Sequence, residues 1–177
     1  MSGHNRWSQI KRQKGKTDAA KSKIFGKFAK SITDEAKKSG GNRNSPGLKT
    51  AIERAKAENM PNDNIERAIK RATEQKTAME AIVYEAYGPG GVAMLIEALT
   101  DNRNKAAQEV KFILSKNGYS LAAQGSALWA FTKQPATGEW KPTTTIALSE
   151  DDIVKLEALA EELENNDEVQ EVVTNAE

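Results

Sequence analysis

Cysteine is absent from this 177-residue chain, and histidine occurs once, at His4. The first absence excludes a disulfide framework and a thiolate nucleophile, and it is compatible with a reducing compartment. The second leaves no Ser-His-Asp arrangement or multi-histidine metal centre to build, because one imidazole near the N-terminus has no second histidine to join. Aromatic residues make up only 6% and prolines number five. No apolar stretch approaches the roughly 18 residues that a membrane span needs, and the first residues lack the apolar core of a secretory leader. Acidic residues are also nearly missing from one place: the first 49 positions hold only Asp18, Asp34 and Glu35.

That local deficit exposes the main feature present. The same 49 positions carry thirteen Lys and Arg, a net charge near +10. Residues 51–80 balance at six against six, and residues 81–177 hold seven Lys/Arg against sixteen Asp/Glu. The overall charge of +1 therefore hides a strong asymmetry. A basic segment on an acidic protein suits a polyanion, most commonly nucleic acid, because each neutralised phosphate releases counterions.

Three regions follow from pattern. Residues 1–16 have no apolar period and read as a basic mobile arm. Their acid-poor composition also suits a mitochondrial transit peptide, but the motif quoted below favours the arm. Residues 17–76 read as a three-helix basic domain. Thr17 starts the first helix, Ala20, Ile24, Phe28, Ala29, Ile32 and Ala36 line its apolar face, and Gly40 and Gly41 end it. Ser45 and Pro46 open the second helix, and Asp63 with Glu66 predicts a capping box for the third. Residues 80–176 read as an α+β domain. A hairpin turns at residues 88–91, and strands are expected near 127–132 and 143–148. Ser149 and Asp152 cap the last helix. The order from residue 92 is βαββαβ, the ferredoxin-like pattern, with one hairpin strand in front.

No catalytic residue, metal site or cofactor is expected. His4 reads as a phosphate-contacting arm residue or an idle one. Glu150, Asp151 and Asp152 occupy the first turn of a helix, where the macrodipole accounts for them. Residues 88–91 are followed by a strand rather than by a helix with GK[ST], so they are no P-loop. Tyr87, Gly88, Pro89, Gly90 and Gly91 then read either as a plain hairpin turn or as a loop offering amides to a partner's phosphate. Asp101, Asn102, Arg103 and Asn104 form a capped helix start that also offers exposed polar contacts. The two loops bracket one strand of eight residues, roughly 26 Å at about 3.3 Å per residue, so they cannot make one compact site. The nucleic-acid candidates are His4, Arg6, Trp7, Lys11, Arg12, Lys14 and Lys16 in the arm, with Lys21, Lys23, Lys27 and Lys30 on the first helix. Trp7 either stacks on a base or folds back onto that helix.

These residues resemble the YebC/PmpR family. The resemblance rests on SGHNRWSQIKRQK (2–14), DAAKSKIFGKFAKSIT (18–33), NSPGLKTAIERAKAENMPNDNIERAIKRAT (44–73), YEAYGPGGVAMLIEALTDNRN (84–104), VKFILSKNGYSL (110–121) and SALWAFTK (126–133). The family includes probable transcriptional regulators and a mitochondrial translational activator. It implies a helical N-terminal domain, α+β domains behind it, no enzymatic activity and no cofactor. It also implies nucleic acid as partner, either duplex DNA at promoters or RNA within the ribosome, where the family's translational role is relief of stalling. Two departures stand out. Gln13 replaces a usual basic residue or histidine. Family members also carry a further α+β domain between positions near 133 and 143, where this chain has a short turn, while residues 140–177 resemble the family's C-terminal segment directly.

The expectation is a non-enzymatic, cytoplasmic, nucleic-acid-binding regulator with no small-molecule substrate and no membrane partner. Transcriptional regulation and ribosomal action stand as equal variants. The rival from another class is a scaffold or assembly protein whose basic arm binds an acidic protein.

Overall fold

The computed structural model describes residues 17–177. The described residues form two compact units, 17–78 and 79–177. The first is made of helices α1 (Asp18–Ser39), α2 (Pro46–Ala57) and α3 (Asn62–Glu74). Thr17 caps α1 by accepting the Ala20 amide at 3.1 Å, and Gly40 closes it in the left-handed conformation at φ 62°. The core is Ile32, Ala36, Leu48, Ile52, Ala55, Ile65 and Ala68, drawn from all three helices. The buried Thr33 hydroxyl ties α1 to the Ala68 carbonyl of α3 at 2.9 Å. Asp34, also buried, is matched by Lys38 at 2.6 Å. Burial alone would lower the Lys38 pKa, but the hydrogen bond and charge of Asp34 outweigh it and raise it. The expected capping box does not form. Pro61, extended at φ −61°, is the N-cap, so Asp63 falls inside the first turn and Glu66 instead pairs with Arg43.

The second unit runs β1 (Glu80–Tyr87), β2 (Ala93–Thr100), α4 (Arg103–Lys116), β3 (Phe131–Lys133), β4 (Trp140–Pro142), α5 (Glu150–Glu164) and β5 (Val169–Thr174). Its class is α+β. From β2 the order is βαββαβ with β1 in front, as the pattern implies. The sheet is an antiparallel β1-β2-β5, and β3 and β4 pair with each other in a separate ribbon. They do not enter the main sheet as a four-stranded ferredoxin-like closure would have them. The central strand β2 is covered on both faces. Met94 and Ile96 pack with Val110 and Leu114 of α4 and Leu156, Leu159 and Leu163 of α5. Ala93 and Leu95, on the other face, pack with Ala127, Ala130, Phe131 and Trp140.

Two strand expectations shift for identifiable reasons. Residues 127–130 are not extended, because the amides of Ala127 and Leu128 both donate to the Glu85 carboxylate at 2.8 Å. A 3₁₀ turn (Leu128–Ala130) results, and the strand begins only at Phe131. Residues 143–148 have strand-like composition but, among the described residues, no partner strand alongside. Only Ile146 bridges to the end of the chain, through Asn175 and Glu177 at 2.9 Å.

Candidate nucleic-acid interface

Residues 17–78 carry fourteen Lys/Arg against eight Asp/Glu, whereas 79–177 carry seven against seventeen. The basic unit therefore concentrates what an anionic partner would meet. His4, Arg6, Trp7, Lys11, Arg12, Lys14 and Lys16 lie outside the described residues. Of the α1 lysines, Lys21 and Lys23 are exposed and Lys27 and Lys30 are half-buried. Lys23, Lys27 and Lys30 recur at spacings of four and three, which puts them on one strip of α1. Each of the three also has an interaction partner.

Next to that strip, α1 and α3 leave an open groove of about 290 Å³. Ser22, Phe25, Gly26 and Ala29 line it from α1, and Asn64, Arg67, Ala68 and Arg71 from α3, with Met60 at the floor. Arg67 and Arg71 are exposed. The Arg67 guanidinium is steered along α3 by the Asp63 carbonyl, at 3.3 Å, and by the Asn64 side chain. Sequence reasoning did not single out these residues. The available signals were a glycine inside a strong helical pattern and two arginines four residues apart on one helix face.

The two loops of the second unit are largely spent on structure. In the glycine turn, the Gly88 amide donates to Val92 at 2.8 Å and the Gly91 amide to Gly88 at 3.1 Å. Gly90, at φ 68°, lies against Leu148 and the carboxylate of Asp152. Two used amides and an adjacent anion make this a poor phosphate cradle. In the other loop, Asn102 caps α4 by accepting the Lys105 amide at 3.1 Å, and Arg103 clasps Glu80 in a two-point pair. That hydrogen bond holds the Glu80 carboxyl below its ordinary pKa. Asp101 and Asn104 remain exposed. The loops lie at opposite ends of β2, as the spacing required.

Tyr87 has a different setting. Its hydroxyl donates to the Ser126 carbonyl and accepts the Trp129 indole N–H at 3.0 Å. Trp129 is 63% exposed yet anchored. Beneath it, the buried Glu85 carboxylate accepts the amides of Gly125 (2.6 Å), Ala127 and Leu128. Burial alone would raise the Glu85 pKa, but the three backbone donors outweigh it and hold it below the ordinary value. The other displaced groups have similarly plain causes. Lys105 is raised by its hydrogen bond to Glu168, and Glu162 is lowered by Lys116 and Asn117. Among the described residues no group of three potential metal ligands occurs, and no helix is long and apolar enough to cross a membrane.

A basic three-helix unit followed by an acidic α+β unit is a defined architecture, and the comparisons give it a family. The profile described as "TACO1/YebC protein N-terminal domain" matches residues 5–75, and that of the "TACO1/YebC second and third domain" matches 79–137 and 134–176. The chain belongs to the TACO1/YebC family. A probable transcriptional regulatory protein of Petrotoga mobilis is 47% identical over 98% of this chain and 70% of its own length. One from Desulfosudis oleivorans is 44% identical over 100% of this chain and 72% of its own. The crystal structure of a conserved hypothetical protein, Aq1575 from Aquifex aeolicus, matches at TM-score 0.74 and 30% identity, covering 90% of this chain and 91% of that one. The two pieces of the second profile meet at residues 134–137, in the β3–β4 turn.

Proposed function

We propose that this protein is a non-enzymatic nucleic-acid-binding regulator of gene expression, acting in the cytoplasm. The observation that carries the reading is the segregation of charge: fourteen cations against eight acids in residues 17–78, next to five more cations and no acid in residues 1–16. Lys and Arg on a small helical scaffold neutralise phosphates whatever the sequence, which supplies affinity and fast association. The names of the relatives, probable transcriptional regulatory proteins, support a regulatory role. The displaced carboxylates and amines support a role without catalysis, because each is held by a structural partner rather than poised in a cleft. Phosphate contacts of this kind suit duplex DNA and structured RNA alike, so a promoter-binding regulator and a ribosome-acting translation factor are variants of one reading.

The test is fluorescence anisotropy with labelled duplex DNA and with a labelled RNA hairpin over a salt series. Five to eight phosphate contacts predict a log–log slope of roughly −4 to −7 on the duplex. Replacing Lys11, Arg12, Lys14 and Lys16 together with Ala should weaken both arms without regard to sequence. Absence of salt-dependent binding to either probe, with capture of an acidic protein instead, would replace this reading by the scaffold one.

A further inference from the structure

Gly26 sits in the interior of the 22-residue helix α1. Glycine there costs about 1 kcal/mol relative to alanine. Nothing among the described residues compels it: a Cβ at Gly26 would meet none of their atoms within 4 Å. Gly40, by contrast, is a left-handed cap. Gly26 is an expensive residue with an empty space in front of it, and that space is the groove between α1 and α3. Missing side-chain bulk in the wall of an open groove serves whatever enters it, not the packing behind it.

The walls indicate the chemistry of the occupant. Phe25 and Met60 give an apolar floor, half-buried and buried respectively, against which a flat ring can lie. Arg67 and Arg71 stand on one side, exposed, and Arg71 makes no side-chain hydrogen bond or ion pair among the described residues. Their planar guanidinium groups suit the paired oxygens of a phosphate. On α1, Lys23 and Lys30 lie three and four residues from Gly26 and so border it on the helix surface. Among the described residues no carboxylate lines the groove. Its volume of about 290 Å³ is of the order of one nucleotide.

We infer that the Gly26 groove seats one nucleotide of an unpaired nucleic-acid strand, its ring on Phe25 at the Gly26 window and its phosphate on Arg67 and Arg71. The inference rests on the nucleic-acid reading above and narrows it. A bulky base pair inside a duplex cannot enter a slot between two helices, whereas a splayed-out base can. Arm cations then supply general affinity, and the groove supplies preference for unpaired segments.

The test uses the full-length chain with two labelled probes, a 20-nucleotide oligouridylate and a duplex of equal length, together with thermal melts. Gly26→Ala adds only a methyl and should raise the Tm of the helical unit by about 4–8 °C. Gly26→Leu fills the slot and should keep Tm at or above wild type. It should also weaken oligouridylate binding at least about tenfold, the equivalent of about 1.4 kcal/mol, while leaving duplex binding within a factor of two. Arg71→Ala should reduce the salt slope on the single strand by about 0.7. Undiminished oligouridylate binding by Gly26→Leu overturns the groove assignment, and if the arm variant still loses binding, the broader reading stands. A fall in Tm for Gly26→Leu also overturns it, because the groove is then filled by the protein itself. Absence of binding of either probe by the wild type removes both readings at once.

Discussion

The Glu85 carboxylate gives the sharpest stability prediction. One oxygen accepts the Gly125 amide, and the other accepts both Ala127 and Leu128. Glu85→Ala leaves three amides without their acceptor, those of buried Ala127, half-buried Leu128 and exposed Gly125. An unsatisfied buried donor costs about 1–3 kcal/mol and water can replace the acceptor at the exposed one, so the expected destabilisation is about 2–4 kcal/mol. Glu85→Gln keeps one carbonyl oxygen and opposes an NH₂ to the remaining donors, so it should cost about half as much. The sign of the pH effect follows from the direction of the shift. The folded pKa lies below the ordinary 4.5. The stabilisation is therefore complete above the unfolded value and is lost as pH falls from there through the depressed folded value. Urea unfolding at pH 7 and at a series of acidic pH values, followed by tryptophan fluorescence, reads both effects. Trp129 is anchored beside this loop and should report the change. A Glu85→Gln protein within about 0.5 kcal/mol of wild type, with the same acid profile, would refute the reasoning, since ordinary surface substitutions fall in that range.

Other outcomes follow from single features. Gly90→Ala forces φ 68° on a residue with a Cβ and should cost about 1–2 kcal/mol in chemical denaturation; no loss would mean that the turn relaxes freely. Within residues 17–177, limited proteolysis should cut first between α3 and β1, where residues 76–78 are exposed, and release a folded fragment beginning near residue 79. A first cut within α5 or β2 would contradict the division into two units. His4→Ala should change nucleic-acid affinity at most about twofold between pH 6 and 8, because one imidazole adds at most one partial charge to many cations; a steep pH dependence lost in the variant would overturn that.

The helices were legible because their signals are local. Thr17, Asn102 and Ser149 cap the helices they precede, and Gly40 ends α1. The hairpin was equally plain, with Tyr87 opposite Ala93 and Glu80 opposite Thr100. What escaped was non-local. A glutamate inside an apolar strand gives no hint that it will collect three amides from forty residues away, and those bonds divert residues 127–130 from a strand. Asp63 lost its capping role because Pro61, two residues earlier, already had the extended backbone of a cap. The charge asymmetry pointed to the basic unit, but a list of lysines could not reveal a groove. The groove depends on how α1 and α3 splay, and its best clue was a residue without a side chain.

The β3–β4 turn has a consequence for how such a protein can be rebuilt. The Gln134 amide donates to the Glu139 carbonyl at 2.8 Å, so the two ends of the turn are pinned side by side. A folded module whose own termini lie close together can be spliced in there, or excised, without altering the register of Phe131 on Pro142 or Lys133 on Trp140. The closure cost grows only slowly with the length of what is inserted. The ribbon thus works as a socket. Phe131 and Trp140 of its two short strands pack with Ala93 and Leu95, contacts that do not involve the turn itself, so an exchange of cargo at this point is expected to leave the β1-β2-β5 sheet unchanged.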